Sequence, residues 1–293
     1  MGSIPFDHRR AWLTADATSD LSRRGFMVTS LAVGFAAAAQ PVMAQAVTTN
    51  GEGLIAGEVA VPVAGGVMPA YQAYPATGSG PFPTVIVVQE IFGVHEYIKD
   101  VCRRLAKLGY YAVTGELYAR QGDVSKLTDI KEIFAKVVSK VPDEQVISDI
   151  DSLVDFARSS GKADITRLGI TGFCWGGRAT WLYAAHNSKV RAAVAWYGMV
   201  DPPMWNEKAI SVFQLLPKLK VPVLGLYGAK DTSIPVAHVE TLKAELAGTS
   251  SEIVIYPDVG HAFHADYRPS YDRNAAEDGW HRLQDWFKKF GVA

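Results

Sequence analysis

The chain has 293 residues, of which 48% are hydrophobic, and it carries 29 basic and 30 acidic side chains. This composition is ordinary for a soluble globular protein, and a formal net charge of −1 without a basic block excludes an electrostatic footprint for nucleic acid. Cys102 and Cys174 are the two cysteines, which excludes a disulfide framework. The spacing of the histidines, cysteines and acids suggests no metal site, and we expect no cofactor.

The N-terminal segment has the pattern of an export signal. Arg23 and Arg24 form a twin-arginine pair, and the apolar run at residues 26–39 is too short for a comfortable membrane span. Ala44 and Ala46 stand at the two positions that a signal peptidase recognises. The pattern therefore predicts a signal peptide of the twin-arginine type that is cleaved after Ala46.

These features divide the chain into a signal peptide over residues 1–46 and a mature domain over residues 47–293. We expect the twin-arginine translocase to be a partner during export and the mature protein to be periplasmic, with no membrane contact after cleavage. A length of about 250 residues can form one core without disulfides or metals.

The mature chain alternates predicted strands with predicted helices. A hairpin-like start is followed by apolar, β-branched runs such as Thr84–Gln89, which are typical of strands buried on both faces. Alternation of this kind predicts an α/β fold in which a mostly parallel central sheet has helices on both faces. The predicted strands are Leu54–Val63, Met68–Tyr74, Thr84–Gln89, Tyr110–Thr114, Arg167–Thr171, Ala192–Tyr197, Val221–Tyr227 and Glu252–Tyr256. The predicted helices are Tyr97–Leu108, Asp143–Arg158, Arg178–His186, Val236–Leu246 and Asn274–Phe290.

A cysteine between glycines is the most informative motif. Cys174 lies between Gly172 and Gly176 directly after a predicted strand, which is the Gly-x-nucleophile-x-Gly elbow of α/β-hydrolases. The elbow strains the backbone of the nucleophile and leaves no room for a Cβ at its neighbours. The alternative is a buried structural cysteine in a glycine-rich turn, as we expect for Cys102 within its predicted helix.

Two later segments supply the partners that a nucleophilic thiol needs. Asp231 follows the predicted strand Val221–Tyr227, and His261 follows Glu252–Tyr256. The order nucleophile, acid, base is the order that α/β-hydrolases use, and all three residues follow strands at one edge of the sheet. The sequence therefore predicts a Cys174–His261–Asp231 triad, with Asp201 and Asp258 as competing candidates for the acid.

Acyl chemistry also needs donors for the oxyanion, and the backbone N–H groups of Trp175 and Ile91 are the candidates. Glu90 closes an apolar strand next to Ile91. It is either an ordinary charge at a strand end or a carboxylate that tunes the ionisation of the thiol.

Four segments resemble the dienelactone hydrolase family: residues 87–94, 117–121, 172–177 and 260–263. The resemblance implies hydrolysis of the ester bond of an enol-lactone through a thioester at Cys174. It also implies that Glu90 holds the resting thiol and swings away when substrate binds, and that Arg120 grips the substrate carboxylate, a task suited to a guanidinium.

The chain departs from the family pattern at the position of a second arginine, four residues after the histidine. Ala265 stands there, Arg268 is the nearest candidate, and His264 is an additional histidine of unassigned role. The export signal is a further departure. We therefore expect this chain to share the family's hydrolytic chemistry, but we do not expect its substrate to be the same lactone.

We expect a cysteine-dependent hydrolase of a small ester or enol-lactone, with a carboxylate-bearing substrate as one of the candidates. The alternatives are a broad-specificity carboxylesterase that acts on an unrelated ester, and a redox-active thiol protein on a hydrolase scaffold. A non-catalytic binding protein is disfavoured because the complete triad is present.

Overall fold

A computed structural model describes residues 47–201 and 208–293. Within these residues one sheet of eight strands runs in the order β1-β2-β4-β3-β5-β6-β7-β8. The first three strands in that order pair antiparallel, and the other pairs are parallel. The strands are β1 Leu54–Val63, β2 Gly66–Pro75, β3 Phe82–Val88, β4 Tyr111–Gly115, β5 Ala163–Phe173, β6 Val190–Trp196, β7 Val223–Gly228 and β8 Glu252–Tyr256.

The burial of the strands follows from their side chains. The apolar run of β3 is buried from Thr84 onward, and all of β7 is buried, because helices cover both faces of the parallel part. The edge strand β1 is mostly half-buried or exposed, because it lies at the margin of the sheet. The predicted α/β-hydrolase architecture, mostly parallel with an antiparallel start, is confirmed.

Seven α-helices lie in the described residues, and five of them match the predicted helices to within three residues at each end. The short helix α2 was not predicted because seven residues are too few to show a helical period. The helices are α1 Glu96–Lys107, α2 Ile130–Lys136, α3 Asp143–Ser159, α4 Trp175–His186, α5 Val212–Leu215, α6 Val236–Glu245 and α7 Arg273–Lys289.

The helices pack in two layers. Helix α1 contacts β2, β3 and β4, and α7 contacts β6 and β7, whereas α3 and α4 contact each other and the central strands. Across the described ranges, every helix is too short or too polar to span a bilayer. The predicted signal peptide lies outside the described residues and stays a prediction.

Candidate active site

The predicted elbow is formed where β5 ends and α4 begins. Cys174 has φ 57° and ψ −116°, a conformation that costs an L-residue free energy and persists only where its surroundings enforce it. A Cβ on Gly172, Gly176 or Gly177 would come within 2.2–2.4 Å of a backbone oxygen. The glycines therefore allow the close approach that holds the half-buried thiol at the rim of the sheet.

His261 and Asp231 meet beside this cysteine. His261 Nδ1 lies 2.7 Å from Asp231 Oδ2. The imidazole lines the same cavity as Cys174 and interacts electrostatically with its side chain. The other carboxylate oxygen of Asp231 accepts the backbone N–H groups of Ser233 and Ile234, at 2.7 and 3.1 Å. These bonds fix the carboxylate, and the carboxylate in turn orients the imidazole.

The two competing acids lie elsewhere. Asp201 pairs with His238 on a partly exposed surface, and Asp258 pairs with Lys230 while its side chain is 85% exposed. Asp231, whose side chain is 1% exposed, is therefore the acid that the fold brings to His261.

The surroundings of His261 favour the charged form of its imidazole. Burial by itself lowers the pKa of His261, but the interactions of its ring with Cys174 and with Asp231 outweigh burial and raise the pKa to about 10. An imidazolium beside the sulfur stabilises a thiolate, which is the nucleophilic form of cysteine. The arrangement is therefore suited to nucleophilic attack followed by proton transfer.

Cys174 and His261 face a cavity of about 180 Å³. Its walls are largely apolar, and two arginines stand among them. The other lining residues are Ile91, Ile130, Phe134, Trp175, Arg178, Met199, Ser233 and Arg268. Five of these residues were not predicted from the sequence, because they come from loops and helices that carry no motif for a pocket: Ile130, Phe134, Arg178, Met199 and Ser233.

The two candidate oxyanion donors lie at this cavity. Trp175 is the first residue of α4, so its N–H has no acceptor within the helix. Ile91 lies in a tight turn closed by a 3.2 Å bond from the Gly93 N–H to the Glu90 carbonyl. Both side chains line the cavity that contains Cys174, which is consistent with an oxyanion hole between them.

Comparison with known proteins identifies the family. Residues 68–291 match the model of the dienelactone hydrolase family. The chain belongs to this family. It is therefore a hydrolase of the α/β-hydrolase fold.

Relatives of the chain support this membership along most of its length. A protein of Methylorubrum extorquens, provisionally named a carboxymethylenebutenolidase, is 61% identical over 280 residues, covering 94% of this chain and 96% of that one. A protein of Escherichia coli K12 with the same provisional name is 50% identical and covers 90% of this chain and 98% of its own. A crystal structure of a provisionally assigned dienelactone hydrolase from Klebsiella pneumoniae superposes with a TM-score of 0.78 at 53% identity, covering 81% of this chain and 99% of that one.

The carboxylate of Glu90 is not at the thiol in this dienelactone hydrolase family member. Its Oε2 contacts His95 Nε2 at 3.1 Å and accepts the Tyr267 hydroxyl at 2.7 Å, and its buried Oε1 has no hydrogen-bond partner among the described residues. Burial raises the pKa of Glu90, but His95, then Tyr267 and the charge of Arg268, lower it overall. The resting contact between Glu90 and the thiol that the resemblance implied is therefore absent from the described residues.

The three arginines near the site differ in their surroundings. Arg120 donates to Asp149 and does not line the cavity, so the fold does not bring it to Cys174 as the sequence analysis expected. Arg268 lines the cavity, with its guanidinium 5.3 Å from the centre of the Phe92 ring. Arg178, on α4, lines it too.

Arg178 is the buried arginine that the sequence analysis missed. It binds both carboxylate oxygens of Asp143, at 2.8 and 2.7 Å, and the Ile210 carbonyl at 2.7 Å. Its Nε is buried and has no hydrogen-bond partner in the described part of the chain. A charged donor is thus held rigidly at the wall of the cavity.

His264 and Cys102 are core residues. Burial, and then the charge of Arg104, lower the pKa of His264 to about 3, and its neutral ring contacts the Tyr97 hydroxyl at 2.5 Å. Cys102 is fully buried on α1, and burial raises the pKa of its thiol. Within residues 47–201 and 208–293, no cluster of histidine, cysteine and acidic side chains could hold a metal ion.

Proposed function

We propose that this hydrolase cleaves a small ester or enol-lactone by covalent catalysis, with Cys174 as nucleophile, His261 as general acid and base, and Asp231 as the residue that orients His261. The observation that carries the proposal is a cysteine on a strained elbow that shares a cavity with a histidine hydrogen-bonded to a buried aspartate. All three side chains converge from the ends of different strands, as triads of this fold do.

Acylation would begin with attack of the Cys174 thiolate on the carbonyl carbon. A C–S bond forms, and the carbonyl electron pair moves to oxygen, where the N–H groups of Trp175 and Ile91 stabilise the negative charge. When the carbonyl re-forms, the C–O bond of the ester breaks, and His261 gives its proton to the leaving oxygen. In a lactone the leaving oxygen stays tethered to the acyl group.

Deacylation would reverse the proton transfer. A water molecule gives a proton to His261 as it attacks the thioester carbonyl. Collapse of the second tetrahedral intermediate breaks the C–S bond, releases a carboxylic acid and restores the thiolate beside the imidazolium. Because Asp231 keeps the imidazole in one orientation, the same Nε2 can serve both steps.

The cavity supports a small substrate with a largely apolar body and a negative charge. A volume of about 180 Å³ admits a small ester, and Arg268 places positive charge at its wall, whereas the charge of Arg178 is paired with Asp143. The name of the relatives, carboxymethylenebutenolidase, denotes a lactone that bears a carboxylate. We therefore propose an anionic lactone or ester as the substrate class.

The test is a comparison of the wild type with Cys174→Ala on a dienelactone and on a neutral aryl ester. We expect turnover of the lactone by the wild type, a trapped acyl adduct on Cys174 by mass spectrometry, and neither in the variant. Equal efficiency on neutral esters would indicate a broad carboxylesterase instead. Oxidation of Cys174 by peroxide without any ester turnover would indicate a redox thiol. The buried thiol of Cys102 is the internal control, since it should remain unmodified.

We also propose that the protein is exported by the twin-arginine route and acts in the periplasm. The support is the arginine pair and the cleavage pattern that ends at Ala46. Replacing both Arg23 and Arg24 with lysine should retain the protein in the cytoplasm, and export of that variant at the wild-type level would contradict the proposal.

A further inference from the structure

The first described residues, 47–52, lie along helix α1 and are bound by its side chains. Asp100 accepts the backbone N–H of Thr49 at 2.5 Å, and Arg103 Nε donates to the Thr49 carbonyl at 3.0 Å. Arg104 donates to the Val47 carbonyl at 3.4 Å. The segment is therefore held at both backbone groups of Thr49 and at the carbonyl of Val47.

Val47 reaches a buried carboxylate in the loop between β8 and α7. It lines a cavity of about 280 Å³ together with Arg104, His264 and Asp266. The Asp266 side chain is 3% exposed; its Oδ2 binds Arg104, and its Oδ1 is buried with no hydrogen-bond partner among the described residues. Burial raises the pKa of Asp266, while Arg104 and the nearby backbone N–H of Val47 act in the opposite direction.

The charges around this carboxylate do not balance. Glu96, Asp100 and Asp266 supply three carboxylates, whereas Arg103 and Arg104 supply two guanidinium groups. Helix α7 adds further charged or titratable side chains to this wall: Arg273 and Glu277, which face each other 3.7 Å apart, and His281. An incompletely compensated buried carboxylate is costly, so the cluster favours one further cation.

We propose that the cation is the α-ammonium of Val47, released when the signal peptide is removed, and that it binds Asp266. Hydrolysis of the Ala46–Val47 peptide bond leaves a carboxylate on Ala46 and an amine on Val47, which takes up a proton. The product has three donors and a positive charge where the peptide had one N–H. Asp266 Oδ1 and the unbalanced cluster provide the acceptor and the opposite charge. This inference rests on the proposed export and cleavage, not on the proposed ester chemistry.

The bond would act on the loop that completes the active site. Asp266 lies five residues after His261 and directly before Tyr267 and Arg268. A bond from Val47 to Asp266 would restrain the loop whose next residues contact Glu90 and line the substrate cavity. Processing would thus stabilise the mature enzyme compared with its precursor.

The experiment compares two forms of the full chain. The mature form is purified after export, and its N-terminus is determined by mass spectrometry; the precursor is obtained from the Arg23→Lys, Arg24→Lys double variant. We expect Val47 at the mature N-terminus and a thermal midpoint about 2–4 °C above that of the precursor. Hydrogen exchange should be slower in the mature form at residues 47–52 and 260–272. Any other mature N-terminus would overturn the proposal.

Two variants separate the bond from a general effect of the leader. Asp266→Asn should abolish the difference in midpoint, whereas Asp258→Asn, at an exposed carboxylate in the same region of the sequence, should preserve it. Selective acylation of the α-amine of the mature protein is a smaller change than retention of the signal peptide. It should lower the thermal midpoint of the wild type but not that of Asp266→Asn. The reaction should also be roughly tenfold faster in Asp266→Asn, since a paired ammonium gives up its proton less readily. Equal thermal midpoints of the mature protein and the precursor would refute the bond. Equal acylation rates of the wild type and Asp266→Asn would refute it too, whatever the enzyme's activity on esters.

Discussion

The Tyr267 hydroxyl donates a 2.7 Å hydrogen bond to Glu90, across 177 residues of sequence. This bond links the loop that follows β8 to the end of β3, and it engages the same carboxylate oxygen that contacts His95. Among the described residues Glu90 makes no hydrogen bond to the thiol, whereas His261 interacts with the side chain of Cys174. Tyr267 is thus a positioning residue for Glu90.

Removing this bond should change the reactivity of the thiol. In Tyr267→Phe the carboxylate of Glu90 is freed to turn towards Cys174, where a protonated carboxyl can hold the thiol and a carboxylate disfavours the thiolate. We expect alkylation of Cys174 by iodoacetamide to be roughly tenfold slower, the equivalent of about 1.4 kcal/mol for a lost bond to a charged group. Tyr271→Phe, a more exposed tyrosine of the same loop, is the matched control, and equal slowing in both variants would contradict the role of Tyr267.

Cys174→Ala should abolish turnover while leaving the fold intact, because the side chain is half-buried at the rim and not in the core. We expect kcat/KM to fall by more than about 10³-fold, with a thermal midpoint close to that of the wild type. Cys174→Ser should be nearly as poor, since the site is arranged for a group that loses its proton more readily than a hydroxyl does. A loss of 10²-fold or less in Cys174→Ala would remove the nucleophile from the mechanism.

The choice of acid can be tested with a pair of amide variants. Asp231→Asn should lower kcat by about 10²–10⁴-fold, because an amide no longer fixes the imidazole in the required tautomer. Asp201→Asn should be close to neutral, since Asp201 pairs with His238 away from the cavity. The assignment fails if the second variant is the crippled one.

The charge of the substrate should be detected by Arg268. In Arg268→Ala, loss of a charge-assisted bond of about 1.5–3 kcal/mol should raise KM roughly tenfold to a hundredfold for an anionic ester and leave a neutral ester almost unchanged. Arg120→Ala is the matched control, because Arg120 is engaged with Asp149 outside the cavity. Equal losses on both esters would mean that Arg268 does not bind a carboxylate, and a selective loss in Arg120→Ala would restore the interpretation drawn from the sequence.

The raised pKa of His261 predicts the alkaline limit of activity. Since the proposed mechanism has the imidazolium protonate an alkoxide leaving group, kcat/KM for an alkyl ester should fall as pH rises through about 10. The same raised pKa makes a contribution to stability that is fully present below about 6.5, the usual value for histidine, and is lost as pH rises through about 10. Asp231→Asn should move the limit to lower pH, and an unchanged profile would show that another group controls it.

The local sequence pattern was sufficient to locate the candidate site residues that directly follow strands. Cys174, Asp231 and His261 each come directly after an apolar run, and the carboxyl ends of parallel strands necessarily meet at one edge of a sheet. The order of the three residues along the chain predicts their roles, and glycine spacing identified the elbow. The same regularity explains why β1, β8 and α3 were located correctly, since each carries a long or clearly bounded pattern of one period.

The sequence by itself thus determined the fold class, the strand ends and the three residues that converge there, because these depend on periodicity and on topology rules with few alternatives. Only the tertiary structure decided which partner each remaining polar side chain takes. Glu90 meets Tyr267, Arg104 meets Asp266 and Arg120 meets Asp149 across separations of 177, 162 and 29 residues. Such pairs depend on how loops and helices pack, since a buried charge binds whichever opposite charge or donor the packing brings within reach, and no local spacing encodes that choice.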